Sequence, residues 1–190
     1  VNRSLTTAGG AISVRRATAR DAKRLTRLVR GSRAYEGQYA AMVAGYRVGP
    51  DYIETHRVFV AVTADTADTA GEGSGGGEGG RGGGGGEGGG QVLGFYSLVL
   101  APPELDLMFV ADRAQGRGVG RLLVAHLKSE ARAAGLDRVR VVSHPPAEGF
   151  YRSVGAVHVG TASANPPAVV WDRPELEFRI SADSAGSAGY

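Results

Sequence analysis

Gln115-Gly116-Arg117-Gly118-Val119-Gly120 puts three glycines at alternate positions directly in front of an apolar helix. Val119, Leu122, Leu123, His126, Leu127 and Glu130-Ala131 follow the i, i+3, i+4, i+7 spacing of one helical face, while Arg121, Lys128 and Arg132 lie off that stripe. The spacing predicts a helix over 119–134, closed by Gly135 and packed on a sheet. Upstream, Glu104 to Ala111 reads as a strand and Asp112 to Gln115 as a turn. Glycine lets the chain take positive φ and lets a ligand approach the backbone, and a helix start offers unpaired N–H groups with about half a positive charge. Such a turn suits an anion.

Two familiar phosphate loops fail here. A P-loop needs Gly-Lys-Ser/Thr after its glycines, but Gly120 is followed by Arg121-Leu122-Leu123. A Rossmann fingerprint wants Gly or Ala at position 121 and usually opens its domain, whereas Arg121 stands mid-chain. A tight strand-to-helix turn with no ligand stays open as the plain alternative.

Working outward, Ala11 to Ala17 alternates as a strand. Thr18-Ala19-Arg20-Asp21 then forms a capping box before the apolar positions Ala22, Leu25, Leu28 and Val29. A second helical stretch near Gln38 to Gly45 is ended by Gly49-Pro50. Arg57 to Thr63 and Gln91 to Leu100 read as strands. Arg138 to Ser143 is a buried strand, Ala147 to Val154 a short helix, and Val157 to Thr161 and Val169 to Ile180 closing strands.

Between the second and third of these strands, fifteen of the twenty residues from Gly71 to Gly90 are glycine. Loop entropy rises slowly with length, so this tract reads as a flexible hairpin insertion over 65–90 rather than a domain boundary. The expected organisation is one domain over 1–180 with a disordered tail over 181–190.

The 42% apolar content suffices for a core, and the net charge is only +3. Arginines are scattered and no nucleic-acid motif accompanies them, so no nucleic-acid partner is expected. With no cysteine, disulfides, zinc-thiolate sites and cysteine nucleophiles are excluded. The four histidines show no metal spacing, so no metal is expected, and His126 on the apolar stripe reads as a satisfied, partly buried residue. Ser143-His144 cannot form a triad, because neighbours on one strand face opposite ways. No stretch has signal-peptide character or membrane-spanning length, and a cytoplasmic protein without a membrane partner is expected.

Gln115-x-x-Gly118-x-Gly120 resembles the Q/R-x-x-G-x-G/A motif of the GNAT acetyltransferases, whose loop holds the pyrophosphate of acetyl-CoA. Glu104 to Val110 is similar to that family's central fourth strand, and Phe150-Tyr151-Arg152-Ser153-Val154-Gly155-Ala156 resembles its F-Y-x-x-x-G-F element. The resemblance implies an α/β mixed sheet of about seven mostly antiparallel strands with about four flanking helices, splayed centrally so that the cofactor enters between strands four and five. It implies acetyl-CoA as cosubstrate, direct attack by an amine, and cofactor contacts from Met108, Phe109, Val110, Gln115, Gly116, Arg117, Gly118, Val119, Gly120 and Arg121.

Tyr151 matches the tyrosine that protonates the coenzyme A sulfur, and a phenol of pKa near 10 suits that task. Glu104 stands where some members place a catalytic base, and period-2 geometry puts Asp106 on its face; two solvated acids at a strand edge are the alternative. Pro146 departs from the pattern where the family often has an Asn that touches the pantetheine arm. That departure keeps a non-catalytic acyl-CoA-binding or sensing domain in view. The acceptor amine is unidentified. Tyr35, Tyr39, Tyr46 and Trp171 read as core rather than as an acceptor pocket, and by analogy the closing strands are where a homodimer would form.

Overall fold

A computed structural model describes residues 4–7, 10–63 and 90–180. The strands are β1 (Ser4–Thr7), β2 (Gly10–Arg16), β3 (Arg57–Thr63), β4 (Val92–Leu100), β5 (Pro103–Val110), β6 (Arg138–Val142), β7 (Val157–Ala162) and β8 (Arg173–Arg179). The helices are α1 (Ala22–Arg30), α2 (Ala40–Ala44), α3 (Pro50–Thr55), α4 (Val119–Ala133) and α5 (Glu148–Ser153). All eight strands form one sheet in the order β1-β2-β3-β4-β5-β6-β8-β7. Neighbours are antiparallel except β5 and β6.

This is the mixed sheet expected from the sequence, with one short N-terminal strand more. The splay expected between strands four and five falls between β5 and β6, since β1 shifts the count by one. Most of the glycine tract (64–89) and the tail 181–190 lie outside the described residues. The strands flanking the tract do pair directly, with the Thr63 amide donating to the Gln91 carbonyl over 3.1 Å.

Two cores sit on opposite faces of the sheet. On one, the stripe of α4 buries Val119, Leu122, Leu123, Leu127 and Ala131 against β4, β6 and β8. His126 belongs to the same stripe, 3% exposed, with Nδ1 2.8 Å from the Tyr96 hydroxyl. On the other face, Leu25 and Val29 of α1, Val43 of α2 and Ile53 of α3 pack against Val58, Val60, Phe95 and Phe109. The entry to α1 is fixed by the expected capping box: Asp21 accepts from the Thr18 amide at 2.9 Å and from both terminal nitrogens of Arg15 at 2.9 Å each.

Gly49-Pro50 does not simply stop a helix. Pro50 takes the first position of α3, where its missing N–H costs no hydrogen bond and its fixed φ suits the helix. The last strand begins at Arg173 rather than Val169, which forms only an isolated bridge to Asn165. Among the described residues, no helix is long and apolar enough to cross a membrane, and no group of three or more His, Asp or Glu is placed to hold a metal ion.

Candidate active site

The site begins with an irregularity in β5. Ser97 pairs with Leu107 and Leu98 with Leu105, so Asp106 is an extra residue on β5 opposite β4. The bulge switches the strand's faces: Leu105 packs into the α4-side core, whereas Leu107 and Phe109 pack on the α1 side. On its other edge β5 touches β6 in register only at Glu104 and Arg140. Beyond that point the two parallel strands diverge, leaving the edge of β5 from Leu105 to Val110 without a sheet partner on that side. Amide groups along such an edge need partners, and an extended ligand carrying its own amides can supply them.

The edge leads into the glycine turn. Gly116 and Gly118 both adopt left-handed backbone, with φ of 72° and 81°, and Gly118 is the N-cap of the fifteen-residue helix α4. Gly120 serves differently: a Cβ there would lie 3.0 Å from the Phe150 ring, so its lack of a side chain lets α5 close against α4. No acidic residue stands in the first turn of α4, and Arg117 and Arg121 flank it, exposed. The Gln115 side chain ties the turn together, donating to Asp112 at 3.2 Å and to the Val110 carbonyl at 3.4 Å. Helix dipole, amides and guanidinium groups all favour an anion at this end. With the adjoining edge of β5, this cradle fits a pantetheine arm that ends in a pyrophosphate.

Between β5 and β6 lies a cleft of about 300 Å³ that brings together Glu104, Met108, Phe109, Val110, Gln115 and Tyr151. Gly116 to Arg121 follow Gln115 in the chain and are not among the residues that line the cleft. Tyr151 is 8% exposed, packed edge-on against Phe150. Burial, then the nearby Tyr35, pushes its phenol well above the ordinary range, so it stays protonated at any physiological pH. Glu104 is held by Arg140 at 3.0 Å, and the same guanidinium grips Glu175 at 2.5 Å. This is neither a loose base nor a solvated edge acid. Asp106 faces the same side and accepts from the Tyr52 hydroxyl. Burial and the Asp106 charge, partly offset by a hydrogen bond with Tyr52, push Tyr46 up to about 12.

Of the four aromatic residues read as core, Tyr35 and Tyr46 pack against the α1-side core and line the cleft as well, while Tyr39 and Trp171 do not line it. Tyr35 stacks on His144 at 4.5 Å. Tyr39 packs edge-on against both His144, at 4.3 Å, and Trp171, at 4.6 Å. His144 stands two residues after the end of β6 and is 7% exposed; its Nε2 finds no hydrogen-bond partner among the described residues. Burial lowers its pKa below the ordinary histidine value. The Ser143 hydroxyl donates to the His144 carbonyl at 2.8 Å, not to its ring, in keeping with the absence of a triad. Pro146 sits exposed in the turn between β6 and α5.

Glu104 and Tyr151 are therefore in one cleft, as their sequence context suggested, while Arg140, the bulge at Asp106 and His144 were missed. Arg140 and Glu104 are 36 positions apart, and neither a bulge nor an orphaned ring nitrogen leaves a periodic signal.

Residues 87–164 match the family described as acetyltransferase (GNAT) domain. No curated protein matches the sequence. Among solved structures, the chain resembles a GCN5-related N-acetyltransferase from Rhodopseudomonas palustris at 16% identity and TM-score 0.66, covering 88% of this chain and 94% of that one. An N-acetyltransferase from Staphylococcus aureus Mu50 aligns at 16% identity and TM-score 0.60, covering 90% and 99%. A GNAT family acetyltransferase from Elizabethkingia anophelis, solved with acetyl-CoA bound, aligns at 14% identity and TM-score 0.55, covering 89% and 98%. At these identities the likeness establishes the fold.

Proposed function

We propose, from the match of residues 87–164 to the acetyltransferase (GNAT) domain and from the shared fold, that this chain is a GNAT-type enzyme that transfers the acetyl group of acetyl-CoA to a primary amine of a small molecule or protein by direct attack. The observation that carries the reading is an unpaired strand edge that the chain joins directly to a glycine-built helix start. The unpaired edge of β5 runs from its bulge at Asp106 to a helix N-terminus built on two left-handed glycines. Acetyl-CoA supplies an activated thioester. The chain has to bind it, orient it, stabilise a developing oxyanion and manage two protons.

In this reading the amides from Gln115 to Arg121 hold the pyrophosphate, and the backbone of Met108, Phe109 and Val110 pairs with the pantetheine amides. A backbone N–H near Met108 meets the carbonyl oxygen as it becomes negative. The Tyr151 phenol donates its proton to the departing sulfur, a role that rests on its place in the cleft, since burial keeps it protonated but also makes it a weaker acid. The ion pair to Arg140 occupies Glu104 and makes it a weaker candidate for the base than its position implies.

The test is thiol release from acetyl-CoA across a panel of amines. With no cysteine in the chain, every thiol detected is coenzyme A. Release that depends on both protein and amine is the expected result. Binding of acetyl-CoA without release from any amine would favour the second reading, an acyl-CoA-binding or sensing domain, to which the Arg140 clamp on Glu104 lends some support.

A further inference from the structure

We infer that His144 is the general base of this cleft, its Nε2 taking the proton from the acceptor's ammonium group. The inference rests on the acetyl-transfer reading above and adds a residue that the sequence motifs do not mark.

Three observations converge. His144 is more than nine-tenths buried, yet its Nε2 has no hydrogen-bond partner among the described residues. Leaving a buried ring nitrogen unmatched costs about 1–3 kcal/mol, so it calls for an explanation. The residue lines the same cleft as Tyr151 and the unpaired edge of β5, on the opposing strand's side of the splay. Its ring is fixed by stacking on Tyr35 and by the edge of Tyr39, so the imidazole is pre-positioned rather than mobile. A neutral imidazole can accept a proton, and burial keeps His144 neutral at pH 7.

The groups around it are consistent with this role. Tyr35 and Tyr39 come from the turns before α2, Glu104 from β5, Tyr151 from α5 and Arg173 from β8. Glu104, the other candidate base of the cleft, is paired to Arg140. The rings of Tyr35 and Tyr39 beside the imidazole also suit a cation before it is deprotonated.

The protons balance as follows. The ammonium gives one proton to Nε2 and becomes a neutral amine. The amine nitrogen then bonds to the thioester carbonyl carbon, and the carbon–sulfur bond breaks. Tyr151 protonates the sulfur and is restored by the second nitrogen proton as the amide forms. The imidazolium releases the first proton to solvent, so one proton is liberated per turnover.

The experiment compares kcat/KM against pH for the wild type and His144→Gln, using thiol release with the best amine of the panel and acetyl-CoA binding by calorimetry as the folding control. The wild type should show an acidic limb below the ordinary histidine value of about 6.5. His144→Gln should bind acetyl-CoA normally but lose on the order of a hundredfold in kcat/KM, together with that limb. A variant that keeps the limb would overturn the role of His144 while leaving acetyl transfer standing. A wild type that releases no thiol with any amine would overturn both.

Should His144→Gln fail to fold, the ring signals of the wild type decide by nuclear magnetic resonance. The chain has four histidines; half-buried His56→Gln and exposed His158→Gln assign their own, and of the remaining two His126 is the one whose signal moves in Tyr96→Phe, because its Nδ1 is hydrogen-bonded to the Tyr96 hydroxyl. A His144 ring neutral at pH 7 is expected, and one that titrates at or above the ordinary value would overturn the inference.

Discussion

Tyr151 and Glu104 both line the cleft, but their partners set them apart. Tyr151→Phe removes the proton donor without emptying the space, and kcat should fall about a hundredfold with little change in acetyl-CoA affinity, as a binding titration beside the rate assay would show. Glu104→Gln should cost less than about tenfold, because the carboxylate is engaged by Arg140 rather than poised for proton transfer. Asp21 offers a test away from the chemistry. Burial pushes its carboxyl up, but hydrogen bonds from Arg15 and the Thr18 amide, with the Arg15 charge, outweigh burial and hold it below the ordinary range. The stability it contributes is therefore complete above the unfolded carboxylate value and is lost as pH falls through the lower folded one. Asp21→Asn should flatten that acid loss and destabilise the chain by about 2 kcal/mol at pH 7, measured by urea unfolding at several pH values. Tyr151 was legible because it stands in a local pattern with Phe150 and Gly155. Arg140 and His144 were not, because their importance comes from residues brought together only by the sheet.

Helix α4 and the turn before it are where sequence and structure agree most closely, since a stripe of apolar residues and a glycine stop are both local signals. Leu127 is fully buried in that stripe. Leu127→Ala should therefore cost about 3 kcal/mol of stability by denaturant titration and leave the acetyl-CoA affinity of the folded fraction unchanged. The apolar stripe is a support for the anion cradle, not a part of it. Other elements were harder to read. β1 is four residues long, too short for an alternating pattern to register. Pro50 looked like a terminator because the same residue that ends one helix can open another. The bulge at Asp106 escaped because strict alternation along Glu104 to Val110 places Leu105 and Leu107 on one face, whereas they pack into different cores.

Among the described residues, β5 and β6 pair in register at a single position, and the two cores cover opposite faces of the sheet around it. If acetyl-CoA lies between β5 and β6, its amides complete the edge of β5. Hydrogen exchange should then slow across Leu105 to Val110 and the first turn of α4 when acetyl-CoA is added, with β2 and β3 unchanged; uniform slowing throughout would argue against a local complement to the edge. Family motifs made the splay legible beforehand. The chemistry of the aromatic wall was not, because Tyr35 and Tyr39 meet His144, and Trp171 meets Tyr39, only after the chain has folded. The most direct test of the central claim is a calorimetric titration of acetyl-CoA into the wild type, Gly118→Asp and Gly118→Asn. Asp and Asn both tolerate left-handed backbone and differ chiefly by one charge. The account predicts saturable wild-type binding, weakened at least about tenfold more by Asp than by Asn because the carboxylate repels the pyrophosphate. No binding to the wild type, or equal binding to both variants, would contradict it.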